Sequence, residues 1–145
     1  PTTTPLRQQV GYFELEAPPH ATRAGTFPVW ARVGHAANDF QYGLPATDAR
    51  GVKAALHRTE GAPDALDAEP EAPDAKVLLT LARARFAITV RACQATERCL
   101  YAMHPGQQLR VERTQERVVQ IAACSGHAFK FGPVIGQRAA TLARA

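Results

Sequence analysis

Residues 6–16 read LRQQVGYFELE, and this stretch decides the fold. β-Branched and aromatic residues alternate roughly with polar ones, which is the pattern of a half-buried strand. The same signal recurs downstream. Residues 27–33 (FPVWARV) form a second expected strand and 40–44 (FQYGL) a third, with the hairpin-turn composition of 34–39 between them. Residues 52–57 (VKAALH) make a fourth, although alanine is a weak strand former. A Pro/His/Ala/Thr loop fills 17–26.

The pattern then changes. Residues 58–74 hold three prolines and six acids, too little apolar content to pack, and are expected as a surface loop. Pro73-Asp74 opens a helix that carries Val77, Leu78, Leu81, Ala82 and Phe86 at helical spacing. Residues 87–92 look extended, and 109–112 form a short strand. Residues 117–123 (RVVQIAA) read as the clearest buried strand, running into Cys124-Ser125-Gly126-His127 and a helix over 133–144. Strands first, a central helix, then a strand–turn–helix end predict an α+β fold. The sheet is mainly antiparallel or mixed, with one or two packing helices. The terminal unit has the style of a nucleotide-binding layer rather than of the hairpin sheet. The expected division is one domain, with 1–116 as its sheet part and 117–145 as the strand–helix piece.

Composition narrows the function classes. The 145 residues are one ordinary domain in length, and 46% hydrophobic content argues against wholesale disorder. No apolar run approaches the ~20 residues that a membrane-crossing helix needs, and no charged-then-apolar leader is present. The net charge is +4, but the 14 arginines are scattered and no block of like charge occurs, so no nucleic-acid partner is expected. Cys93, Cys99 and Cys124 have neither disulfide nor zinc-site spacing. They fit a reducing, cytoplasmic setting without a metal.

Four short segments hold the polar residues that sit oddly against their surroundings: 42–45 (YGLP), 51–57 (GVKAALH), 99–101 (CLY) and 125–131 (SGHAFKF). Lys53 lies in an apolar strand, where a lysine is either a snorkelling outward residue or a charge held near a reaction centre. His57, four residues on, shares its strand face. Lys130 is flanked by Phe129 and Phe131, which suggests partial burial and a need for an anionic partner, either a substrate carboxylate or a nearby acid. Ser125 and His127 lack the GxSxG elbow of a hydrolase, and Cys99 has no definite histidine partner.

In this order and at these separations, the four segments resemble the C-terminal half of the sarcosine oxidase and N-methyltryptophan oxidase family of FAD-dependent amine oxidoreductases. The resemblance runs from Val10-Gly11-Tyr12-Phe13-Glu14 to the final helix. It implies oxidation of a secondary amine or amino acid to an imine, with oxygen as acceptor and FAD as cofactor. Cys99 matches the cysteine that forms a thioether to the flavin ring, and Lys53 the lysine that promotes reaction with oxygen. Tyr42 and His57 match residues lining the substrate pocket, as Tyr101 does beside the flavin-linked cysteine. Lys130 matches the lysine that binds the substrate carboxylate. Ser125, Gly126 and His127 belong to the turn around the flavin.

The chain also departs from the family. His104-Pro105-Gly106 stands where Thr-Pro-Asp is usual, Cys124 replaces a phenylalanine and Ala128 a glycine. No GxGxxG occurs, so the dinucleotide cradle is not in these residues. The resemblance therefore implies a substrate-side domain fragment whose 117–145 piece completes an FAD-binding layer. Its partners would be a small amine or amino-acid substrate and a missing N-terminal FAD-binding domain, with a homo-oligomer of the fragment possible and no membrane partner. The alternative reading is a non-catalytic stand-alone module of the same shape that binds a small carboxylate or a partner protein.

Overall fold

The computed structural model describes residues 3–36, 39–61, 74–122 and 124–144. It is an α+β fold with a five-stranded and a two-stranded sheet. In chain order the elements are β1 (Thr4–Leu15), β2 (Trp30–Val33), β3 (Phe40–Leu44), β4 (Val52–His57), α1 (Ala75–Arg85), β5 (Val90–Met103), β6 (Arg110–Gln115), β7 (Val118–Ala122) and α2 (Gly132–Arg144). The larger sheet runs β2-β3-β4-β1-β5, and β6 pairs with β7. Strands β2, β3, β4 and β1 are antiparallel to their neighbours. Side-chain bonds from Tyr12 to Glu97 and from Gln94 to Glu14, with Glu16 N–H donating to Thr89, show that β5 also runs antiparallel to β1.

The chain divides into two compact units. One comprises residues 7–61 and 67–99, and the other residues 1–6, 62–66 and 100–145. In the first, alternation along β1 and β4 sends side chains to two faces. Phe13, Leu15, Val52 and Ala54 point to one face, where Leu78 and Ala82 of α1 and Val90 of β5 close over them. Phe27, Trp30 and Phe86 extend this core, Phe86 edge-on to both other rings at 5.8 Å. Val10, Tyr12 and Ala55 point to the opposite face, beside Tyr42 and Ala95.

Helix α1 begins where the sequence places it. The Asp74 carboxylate accepts the N–H groups of Lys76 and Val77, satisfying two donors that the first turn leaves open. Its end differs from expectation: Phe86 is the extended C-cap, not a helical residue, and its ring serves the Trp30 cluster. Strand β2 covers only the last part of 27–33. Residues 62–73 of the expected acidic loop lie outside the described residues.

In the second unit, β6 and β7 form a hairpin on which α2 packs. Here one expectation is overturned. Strand β7 is not buried: Val118 and Ile121 are 46% and 51% exposed, and only Ala122 is enclosed. An edge position in a two-stranded sheet leaves most of the strand without an apolar cover.

Candidate functional site

Lys53 and His57 alternate on β4 with Ala55 between them, so all three lie on the face opposite α1. The sheet register adds the neighbours. Tyr42 stands opposite Ala55, Phe40 opposite His57, and Tyr12 opposite Lys53. The Phe40 ring meets His57 edge-on at 5.5 Å, and the Lys53 ammonium lies 5.9 Å from the Tyr12 ring centre. Cys99 is on β5, two residues beyond Glu97, and feels the charges of both Lys53 and Glu97. Four sequence-selected residues (Tyr42, Lys53, His57 and Cys99) thus belong to one sheet face.

This face holds a network that the sequence did not announce. The Tyr12 hydroxyl donates to Glu97 Oε2 at 2.7 Å. Arg50 donates to Glu97 Oε1 and, through Nε at 3.0 Å and Nη2 at 2.6 Å, to both oxygens of Asp48. Its guanidinium lies over the Tyr12 ring, 3.9 Å from the centre, in cation–π geometry. Tyr12 is 7% exposed, and desolvation first, then its bond to Glu97, raises its phenol above the ordinary value. Partial desolvation likewise raises the Cys99 thiol, while Lys53 pulls it down and Glu97 pushes it up. The bonds from Tyr12 and Arg50 lower the Glu97 carboxyl.

Asp48 provides a pH test of the network. Its hydrogen bonds from Arg50 lower its pKa to about 2, below the ordinary value of 3.8. A carboxylate depressed on folding contributes stability above its unfolded value and loses that contribution as pH falls through the folded one. The expected result is a carboxyl carbon titration for Asp48 with its midpoint near 2, and detachment of Arg50 only in that acid range. A midpoint near 3.8 would show that the pair does not persist in solution.

The remaining candidates lie in the other unit, around a tight turn. Ser125 is fully buried. Its N–H donates to Ala102 O at 3.0 Å, and its Oγ accepts the His104 N–H at 3.1 Å. Its φ of 43° is left-handed, a conformation that stores strain in a residue other than glycine. Gly126 follows at φ 74°, and a Cβ there would sit 2.1 Å from the Tyr101 ring, so only glycine lets that ring pack on the turn. His127 closes the turn, its Nδ1 3.1 Å from Ser125 O and its N–H on Cys124 O at 3.1 Å.

Lys130 departs from its expectation of partial burial. Phe129 is 100% exposed, Phe131 is 40% exposed, and Lys130 is itself exposed, its ammonium 5.3 Å from the Phe131 ring centre. The two phenylalanines do not enclose it, because the short 3-10 turn at Phe129–Phe131 projects them outward.

Sequence reasoning passed over Tyr12, Arg50 and Glu97. Tyr12 carried the only signal, its alternation with Val10 on a strand that pairs with β4. No family model matches the chain, and no curated protein matches it. No described helix is long and apolar enough to cross a membrane.

Proposed function

We propose that the chain is the substrate-side part of an FAD-dependent oxidoreductase that oxidises a secondary amine or amino acid to an imine, with oxygen as acceptor. The observation that carries this reading is the shared sheet face of Tyr42, Lys53, His57 and Cys99. An exposed thiol near an ammonium, with aromatic walls beside them, fits an aromatic, electron-accepting ring. Cys99 would hold the flavin; for Tyr101, Ser125, Gly126 and His127, in the other unit, flavin contact rests on the resemblance alone. Flavin, when bound, would supply the redox chemistry, hydride uptake from the carbon next to the amine and electron delivery to oxygen. Lys53 contributes positive charge where negative charge develops on oxygen. Tyr42 and His57 line the substrate; for Lys130, in the other unit, the carboxylate-binding role rests on the resemblance alone.

The dinucleotide cradle would come from a separate domain, since no Gly-rich phosphate turn lies in these 145 residues. The 145-residue chain alone is therefore expected to bind FAD weakly and to purify colourless. A yellow preparation that makes peroxide from N-methyl amino acids would overturn this division of labour. The activity itself is tested by oxygen uptake with N-methyl amino acids, using the polypeptide that joins these residues to an FAD-binding domain. Absence of uptake with every secondary amine tried would reject the oxidase reading.

We assign the surface for that domain to segment 118–135 of the second unit, which carries exposed apolar side chains. Val118, Ile121, Phe129, Phe131 and Val134 are between 40% and 100% exposed. Uncovered, such a face associates with its own copies. Residues 117–144 contain Arg117, Lys130, Arg138 and Arg144 and no acid, so self-association is expected to strengthen as salt screens their repulsion. Light scattering that shows a strict monomer at all salt and protein concentrations would contradict it.

A further inference from the structure

We propose that the first unit carries a second binding site, for a small carboxylate with an apolar body, in the cleft walled by the end of β1 and the loops at 17–23 and 46–51. The cleft shares Asp48 and Arg50 with the network on the face of Lys53, but the residues proposed to bind here are others, and the proposal does not depend on the flavin reading. The cleft has a volume of about 910 Å³, within the span of roughly 300–1,000 Å³ usual for small-molecule sites. Leu15, Ala17 and Ala46 give it an apolar wall that is continuous with the core.

Its polar rim holds three arginines and three acids, and most are already committed. Arg50 is held by Asp48 and Glu97. Arg91 bridges Glu14 at 3.7 Å and Glu16 at 3.1 Å, and Glu14 also accepts from Gln94 at 2.5 Å. Two groups remain. Neither the Arg23 guanidinium nor the Thr47 hydroxyl has a side-chain partner among the described residues. They are neighbours by backbone pairing, because Arg23 bridges Ala46, and the Ala46 N–H donates to Thr22 O at 2.8 Å. The base of the Arg23 side chain is fixed as well, since its carbonyl accepts the N–H groups of Thr26 at 3.2 Å and Phe27 at 2.8 Å.

An uncommitted guanidinium on a fixed backbone, in one cleft with a free hydroxyl and an apolar wall, is chemistry for an acceptor with a hydrocarbon body. The planar fork of arginine matches a carboxylate with two parallel bonds. The three acids on the same rim select the charge. A singly charged carboxylate is offset by Arg23, whereas a phosphate dianion brings a second charge for which the rim has no free cation among the described residues, since Arg50 and Arg91 are already paired with its acids.

The experiment is a titration of the isotopically labelled 145-residue chain with sodium benzoate, following the arginine side-chain Nε–H signals and the Thr47 amide. The expected result is saturable shifts confined to Arg23, Thr47 and their cleft neighbours. R23Q should weaken binding about tenfold or more, the scale of a lost charge-assisted pair. R23K, which keeps the charge and loses the fork, should fall between, and it carries the test if R23Q disturbs the fold. R32Q removes an arginine paired with Asp39 outside this cleft and should change nothing. Benzamidine, the same ring with a positive group, should not compete, and inorganic phosphate should compete poorly. Shifts that rise linearly without saturation, that persist unchanged in R23Q and R23K, or that benzamidine reproduces would overturn the site. No flavin or turnover enters the measurement, so its failure would leave the oxidase reading where it stands.

Discussion

Phe13→Ala will cost about 3–5 kcal/mol of stability, the largest effect expected of any single core truncation in this chain. Phe13 has no exposed surface and lies at the centre of the core formed with Leu15, Val52, Ala54, Leu78, Ala82 and Val90. Its ring occupies the space beside Gly11, where a Cβ would come within 2.4 Å of Phe13 Cζ. Deleting the ring therefore opens a void in a fully buried part of the core, and the cavity adds to the lost transfer free energy. Phe13→Leu keeps most of the volume and should cost clearly less. The adjacent Tyr12→Phe is the instructive control. It keeps the ring and deletes one hydrogen bond to an exposed carboxylate, for an expected cost of about 0.5–1.5 kcal/mol. Trp30 is the only tryptophan and packs on the same core, so urea unfolding followed by its fluorescence reports this unit alone. Equal midpoints for Phe13→Ala and Tyr12→Phe would show that the two faces of the sheet contribute alike, contrary to this packing.

That contrast between adjacent residues also marks how far the sequence was legible. Alternation in 6–16 announced β1, and the Asp74 cap with apolar residues at 77, 78, 81 and 82 announced α1, because both signals are local. The extent of β5 was not announced. VRACQATERCLYAM is rich in residues with modest strand preference, and pairing with β1 rather than propensity extends it over 14 residues. Strand β7 shows the reverse error. VVQIA has the composition of a buried strand, but burial depends on what covers it, and composition carries no information about the cover. For the site, two-residue and four-residue spacing correctly placed Lys53 and His57 on one face. The bond from Tyr12 to Glu97 spans 85 positions in the chain and exists only through the pairing of β1 with β5. Lys130 failed for a related reason, since aromatic neighbours in sequence enclose a lysine only when the backbone turns their rings toward it.

The proposed roles of Lys53 and Lys130 predict that the two lysines fail differently when neutralised. In the flavin-loaded enzyme, Lys53→Met should slow the oxygen-consuming half-reaction by roughly 10²–10³, the usual consequence of removing one preorganised charge or donor. The amine-oxidising half-reaction should stay near its original rate. The asymmetry follows from where charge appears. Negative charge develops on oxygen only in the second half, so an ammonium near that position stabilises only that transition state. Tyr12 stands opposite Lys53 on the neighbouring strand, its ring centre 5.9 Å from the ammonium, while Glu97 offsets part of the Lys53 charge. Glu97→Gln should therefore act on the same half-reaction in the opposite direction and by less. If Lys130 binds the substrate carboxylate, as the resemblance implies, Lys130→Met removes a charge-assisted bond present in ground and transition states alike, so it should raise KM with little change in kcat. Because Lys130 is exposed among exposed phenylalanines, its loss should leave stability unchanged, which separates a binding role from a structural one. Stopped-flow measurement of the two half-reactions decides the matter. Equal slowing of both by Lys53→Met would reject the oxygen role, and wild-type behaviour of both variants would leave two solvent-facing lysines with no part in the chemistry.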